Sequence, residues 1–142
     1  MKRRQFVKLI GNSTIAVCGA CAIGCSKSVE TPNVSTANNS IDFNIDLPSQ
    51  LLSINDVFVK NSVRVVRLLA GNNINSFAAV DQWCTHAAGN LIWNATQDRF
   101  DCPIHGSQFK RDGVLIPDSG PATKNLKQFA MALNNTTLTI KG

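Results

Sequence analysis

Cys84-Thr85-His86 and Cys102-Pro103-Ile104-His105-Gly106-Ser107 are the two stretches on which the architecture of this 142-residue chain depends. Each places one thiol close to one imidazole, and fifteen residues lie between His86 and Cys102. The two stretches hold both His of the chain and two of its five Cys, and the other three Cys lie within the first 25 residues. A random scatter would seldom produce two such pairs. We therefore expect the two stretches to meet and to form one metal site.

Three simpler interpretations of the Cys–His pairs explain less. A disulfide between Cys84 and Cys102 suits an exported domain but leaves both His positions unexplained. A Cys2His2 zinc site has the right donors, yet structural zinc sites favour two to four residues between paired ligands, and Cys84 is separated from His86 by one. Catalysis by a Cys–His pair would not require two copies.

The complete pattern, Cys-x-His, fifteen residues and Cys-x-x-His, closely resembles that of the Rieske iron–sulfur proteins. Gly106-Ser107 follows the second His as it does in that family. Gly120-Pro121-Ala122 stands where the family has a proline-rich loop over its cluster. The resemblance covers roughly residues 41–142.

The resemblance implies one [2Fe-2S] cluster per chain and a role for each residue of the motif. Cys84 and Cys102 would bind the inner iron as thiolates, and His86 and His105 would bind the outer iron. Ser107 would donate a hydrogen bond to a bridging sulfide. No catalytic residues are implied, because the site transfers an electron.

The chain departs from the cytochrome bc-type members of the family at three positions. Gly89 and Ile104 stand where those subunits have an additional pair of Cys that forms a disulfide, so this brace cannot form here. Phe109 stands where they have a Tyr that donates a hydrogen bond to a ligand sulfur. We therefore expect a reduction potential well below the top of the Rieske range.

The segments around the motif predict an all-β domain. Apolar and polar residues alternate in short runs bounded by turn signals such as Asn72-Asn73 and Asp112-Gly113, and no run of ten residues shows a helical period. We expect a small antiparallel sandwich or barrel of the Rieske type, in which two long loops hold the cluster. The predicted strands cover residues 41–47, 57–60, 62–69, 77–80, 108–110, 114–116, 129–133 and 136–140.

The N-terminal 25 residues have the form of an export signal, with a cationic start followed by an uncharged, mildly apolar stretch. Arg3-Arg4-Gln5-Phe6-Val7-Lys8 resembles a twin-arginine signal. Ala22-Ile23-Gly24-Cys25 resembles a bacterial lipobox, which implies lipidation at Cys25; the alternative is an uncleaved membrane anchor. Residues 26–40 are rich in Ser, Thr and Asn and predict a flexible tether. The predicted Rieske domain then spans residues 41–142.

The net charge of +5 does not indicate nucleic-acid binding. Four of the fourteen cations lie in the first eight residues, and from Ser26 onward ten Lys and Arg face nine Asp and Glu. These charges are scattered rather than arranged in a stripe, so we expect no nucleic-acid partner.

These features together predict an exported one-electron carrier on the periplasmic side of a membrane, with a redox protein or membrane complex as donor and acceptor. The alternative is a small subunit of a larger oxidoreductase, either a molybdenum-containing oxidase or a cytochrome bc-type quinol oxidase. A Rieske oxygenase also needs a mononuclear iron with two further His and a carboxylate. Because both His of this chain are already assigned to the cluster, we do not expect that second iron site in this chain.

The signal interpretation predicts the effect of changing the Arg pair or the lipobox Cys. The double variant Arg3→Lys, Arg4→Lys should leave a cluster-bearing protein in the cytoplasm, because the twin-arginine route requires the pair. Cys25→Ser should release the protein from the membrane or block its maturation. Cell fractionation and mass spectrometry of the mature N-terminus measure both effects. Undiminished export of the double variant would contradict the twin-arginine assignment. An intact Met1 would favour the uncleaved membrane anchor over the lipobox.

Overall fold

A computed structural model describes residues 40–142, and the expected signal, the lipidation site at Cys25 and nearly all of the tether lie outside this range. The described part contains nine β-strands and one short 3-10 helix, Ile74–Ser76, which confirms the all-β prediction. Within it, no helix is long and apolar enough to cross a membrane. The strands are β1 Asp42–Asp46, β2 Val57–Lys60, β3 Val63–Arg67, β4 Phe77–Asp81, β5 Ile92–Asn94, β6 Arg99–Asp101, β7 Gln108–Lys110, β8 Ala130–Asn134 and β9 Thr137–Lys141.

The strands form three antiparallel sheets of three strands each, in the orders β1-β9-β8, β2-β3-β4 and β5-β6-β7. The first sheet joins the two ends of the domain, since β1 pairs with β9 along its whole length. Phe43 and Ile45 are buried and alternate with exposed residues, as the sequence pattern predicts for a strand with one face in the core.

The second sheet separates two apolar cores. Val63 and Val65 of β3 belong to the first core, with β1 and β9, whereas Val66 belongs to the second core, with Cys84 and Cys102. Strand β3 therefore contributes Val side chains to a core on each of its faces, although its sequence, Val-Arg-Val-Val-Arg, also includes two Arg. We call the first two sheets the frame of the domain. The second core connects this frame to the expected metal site.

Two strands of the third sheet, β5 and β6, lie in the interval between the two motif stretches, where no strand was predicted. Strands β5 and β6 form a hairpin there, and Trp93 is paired with Phe100 across it. Each strand has only three residues, which is too few to show an alternation of apolar and polar residues that differs from the polar turn between them. Residues 114–116, predicted as a strand, form one isolated bridge instead, between Leu115 and Phe109, so this prediction is wrong.

Arg67 is buried at the end of β3 and binds backbone rather than a carboxylate. Its Nη1 donates to the carbonyl of Gly71 at 3.0 Å, and its Nε donates to the carbonyl of Leu51. The third donor, Nη2, bonds Oδ1 of Asn72 at 3.0 Å. The guanidinium lies 4.9 Å from the ring centre of Phe77. One side chain thus holds the connections before β2 and after β3 against the first core.

The contacts of Arg67 predict that Arg67→Met is strongly destabilising. The variant keeps the apolar stem but leaves the buried carbonyl of Leu51 and the partly buried carbonyl of Gly71 without their donors, which should lower the free energy of unfolding by about 2–4 kcal/mol. Denaturant unfolding measures this change. The control is Arg111→Met, which removes an exposed cation paired with Asp98 and should change stability by less than about 0.5 kcal/mol. Equal losses in the two variants would contradict the assignment.

Candidate metal centre

The first motif stretch forms a closed backbone ring, which we call loop 1, over residues 84–89. The N–H of Cys84 donates to the carbonyl of Gly89 at 2.8 Å, and the N–H of Ala88 donates to the carbonyl of Cys84 at 3.0 Å. Ala88 closes the turn with a positive φ of 50°. The ring fixes the direction of the Cys84 side chain at its start.

The second stretch, loop 2 over residues 102–107, repeats the same ring. The N–H of Cys102 donates to the carbonyl of Ser107 at 2.8 Å, and the N–H of Gly106 donates to the carbonyl of Cys102 at 3.0 Å. Gly106 takes the left-handed conformation with φ 81°. The loops differ in the place of the imidazole, which is two residues after Cys84 in loop 1 and three residues after Cys102 in loop 2.

The two thiols meet in the second core. Cys84 and Cys102 are 4% and 3% exposed, and both are free rather than joined in a disulfide. Burial raises the pKa of the Cys84 thiol and the adjacent Cys102 thiol raises it further, while the backbone N–H groups of His86 and Ala87 oppose this shift. The site thus desolvates a sulfur and also aims amide donors at it.

The two imidazoles meet at the surface. His86 and His105 are exposed, and their Nδ1 atoms lie 3.2 Å apart. The rings stand almost perpendicular, at 86°, with centroids separated by 4.7 Å. The four side chains therefore form two pairs, thiol with thiol inside and imidazole with imidazole outside, and their role as the ligands of one metal site stays a prediction.

This arrangement fits a two-iron group better than a single ion. Two pairs of donors, one soft and buried and one of imidazole nitrogens, suit two irons that each take one pair. The residues present fit a [2Fe-2S] cluster.

A third segment, residues 120–124, contacts both loops, and we call it the covering segment. The hydroxyl of Ser107, which is fully buried, accepts from the N–H of Ala122 at 3.0 Å. Thr85 donates to the carbonyl of Lys124 at 2.8 Å, a contact that the sequence analysis missed. A Cβ on Gly120 would stand 2.5 Å from the backbone nitrogen of Ser107. The close approach therefore requires glycine at this position.

The three residues that depart from the bc-type pattern lie in the two loops and in the second core. A Cβ on Gly89 would lie 3.6 Å from Cβ of Ile104, so these two positions face each other across the loops. Phe109 is fully buried in the second core with both thiols. Its side chain offers no hydrogen-bond donor to the sulfurs.

A family model described as "Rieske [2Fe-2S] domain" matches residues 48–130. The match covers more than half of the chain and includes both loops and the covering segment. The chain therefore belongs to the Rieske [2Fe-2S] family, and its cofactor is a [2Fe-2S] cluster.

Individual relatives agree with this family. Cytochrome b6-f complex iron-sulfur subunit 3 of Nostoc sp. is 26% identical over 148 residues, which cover 95% of this chain and 83% of that protein. A Rieske 2Fe-2S iron-sulfur protein of Bacillus subtilis is 47% identical over 49 residues, which cover 34% of this chain and only 9% of that protein. A solved structure of a hyperthermophilic respiratory Complex III shares the fold, with a TM-score of 0.53 and 24% identity over 67% of this chain and 71% of that one. The protein is thus a Rieske iron–sulfur electron carrier related to subunits of cytochrome complexes.

The contact at Gly120 predicts the effect of one added methyl group. Gly120→Ala should push the covering segment away from Ser107, lower the free energy of unfolding by about 1–3 kcal/mol and speed the loss of iron to a chelator. Gly71→Ala is the control, since a Cβ there meets no atom within 4 Å although its φ of 83° is unfavourable for alanine. The control should lose stability but keep its iron as the wild type does. Wild-type iron retention in Gly120→Ala would contradict the proposed fit.

Proposed function

We propose that this protein is an exported, membrane-tethered one-electron carrier in which Cys84 and Cys102 bind the inner iron and His86 and His105 bind the outer iron. One observation carries the proposal. Two loops closed by the same backbone hydrogen bonds place their thiols together in the core and their imidazoles together at the surface. When bound, a [2Fe-2S] cluster takes up and releases one electron.

The donor set favours reduction at a higher potential than four thiolates would. Two anionic ligands of an all-Cys site are replaced by two neutral imidazoles, so the added electron meets less negative charge. The hydroxyl of Ser107 already accepts from Ala122, which leaves its own proton for a cluster sulfide. Ser107 thus contributes a second stabilising interaction with the reduced state.

The imidazole pair is the side at which an electron enters and leaves. Both His rings are exposed, and the adjacent Ile104 side chain is 61% exposed. An apolar side chain beside the redox centre favours close contact with a redox protein or membrane complex, since little water has to be displaced from it. Close contact shortens the distance that the electron crosses.

Export and tethering rest on the N-terminal sequence. The twin-arginine-like Arg3-Arg4 pair suits a protein whose cluster is assembled before translocation, and lipid on Cys25 would hold the domain at the outer face of the cytoplasmic membrane. Residues 26–40 would supply the reach between the membrane and the domain. This arrangement allows one carrier to meet different membrane-bound partners.

A second candidate is a subunit of a larger oxidoreductase. It is favoured by the relative named as a cytochrome b6-f subunit, which aligns with 95% of this chain. Affinity purification of the native protein from membranes in mild detergent separates the candidates. Recovery without haem or molybdenum supports a carrier, whereas stoichiometric haem or molybdenum identifies a cytochrome complex or a molybdenum-containing oxidase.

The ligand assignment predicts the iron and sulfide content of His variants. The wild type should hold two irons and two acid-labile sulfides per chain, and His86→Ala or His105→Ala should abolish this cluster, because the chain contains no third His. Metal and sulfide analysis of protein matured in its native host measures this. One zinc per chain without sulfide would defeat the assignment.

The hydrogen-bond donors around the sulfurs predict the direction of potential changes. The wild-type potential should lie well below the upper limit of about +300 mV for Rieske centres. Phe109→Tyr adds a donor and should raise the potential by roughly several tens of millivolts, whereas Ser107→Ala removes a donor and should lower it, since such bonds strengthen when the sulfurs gain negative charge. Protein-film voltammetry measures all three proteins. An unchanged reduction potential in Phe109→Tyr with an intact cluster would show that backbone amides, rather than side-chain donors, set the potential.

A further inference from the structure

Arg64, in the middle of β3, lies on the side of the second sheet that faces the metal centre. Its cross-strand partner in β4 is Val80, and the two residues therefore share a face of the sheet. Val80 and Val66, which lies on the same face, both belong to the core that contains the two thiols. The guanidinium group therefore begins on the cluster side of the frame.

The side chain of Arg64 is a poorly compensated cation. Its Nε is buried and has no hydrogen-bond partner in the part of the chain that the structure describes. Among the described residues, no carboxylate lies within ion-pair distance of it. Burial also lowers the pKa of Arg64, although arginine stays charged at neutral pH. A desolvated positive charge of this kind is costly unless it serves a negative charge nearby.

Within residues 40–142, Arg64 makes one side-chain hydrogen bond, which leads to the residue directly after loop 1. Its Nη2 donates to Oδ1 of Asn90 at 3.0 Å. Asn90 follows Gly89, whose carbonyl closes the ring that orients Cys84. The bond therefore joins the frame to the end of loop 1, next to the place where Gly89 and Ile104 leave the loops without a covalent brace.

We propose that Arg64 is a positioning residue for the cluster: its bond to Asn90 fixes loop 1 on β3, and its half-buried charge stabilises the reduced state. The inference rests on the proposed ligand role of loop 1. A positive charge on this face favours the state that carries the added electron, so it raises the reduction potential. Because the charge is partly buried, salt screens its effect less than that of a surface cation.

Three variants separate the two roles of Arg64. Arg64→Met removes both the charge and the bond, Arg64→Lys keeps the charge but loses the guanidinium fork, and Asn90→Ala removes the bond alone. Arg111→Met is the matched control, because it deletes an exposed arginine on another part of the domain. Iron and sulfide content is measured for each protein first.

The reduction potential tests the role of the charge. The one-electron equilibrium should shift about three- to tenfold toward the oxidised state in Arg64→Met, where tenfold corresponds to 59 mV, and the shift should persist in high salt. Arg64→Lys should retain most of the wild-type potential. The inference fails if Arg64→Met matches Arg111→Met, or if salt removes the difference.

Hydrogen exchange on the cluster-bearing proteins tests the role of the bond. The ring amides of Cys84 and Ala88 should exchange severalfold faster in Arg64→Met and Asn90→Ala than in the wild type, while those of Cys102 and Gly106 in loop 2 should not change. Unchanged exchange in loop 1 would overturn the positioning role. A wild type without a cluster would instead defeat the proposed function, so the two failures are distinguishable.

Discussion

The structure depends on one repeated hydrogen-bonded ring, in which the N–H of a Cys donates to the carbonyl five residues later. Cys84 and Gly89 close this ring in loop 1, and Cys102 and Ser107 close it in loop 2. Each ring turns its sulfur into the second core and sends its imidazole outward. Two copies that face each other therefore create a buried soft pair and an exposed nitrogen pair without any donor from the frame.

The frame supplies the conditions under which this donor set works. Sheet β2-β3-β4 carries the second core beneath the thiols, and the segment around Gly120 covers the loops from the side. Burial opposes thiolate formation, as the raised pKa of Cys84 shows, so the metal and the amide donors of His86 and Ala87 must offset this cost. In the proposed function, the exposed imidazoles give the electron a route that the buried sulfurs lack.

Much of the frame could be predicted from the sequence, whereas the assignment of the four cluster ligands stays a prediction. Strand β2 and strand β7 have the predicted bounds, because each is a short β-rich run ended by a turn. The hairpin of β5 and β6 was missed since three-residue strands show no period. Residues 114–116 have strand composition but pair at Leu115 alone. The close approach of Gly120 and the bonds of Arg67 are tertiary contacts, which no local pattern encodes.

The central claim is that one iron of the cluster is bound by two exposed imidazoles through the nitrogens that face each other in the structure. Pulsed electron paramagnetic resonance of the dithionite-reduced protein, with and without 15N-labelled histidine, tests it most directly. The account predicts an average g value below that of all-Cys [2Fe-2S] proteins and two strong nitrogen couplings that change on labelling, assigned to the Nδ1 atoms of His86 and His105. An all-Cys g value, or a reduced cluster with no histidine nitrogen coupling, would contradict it.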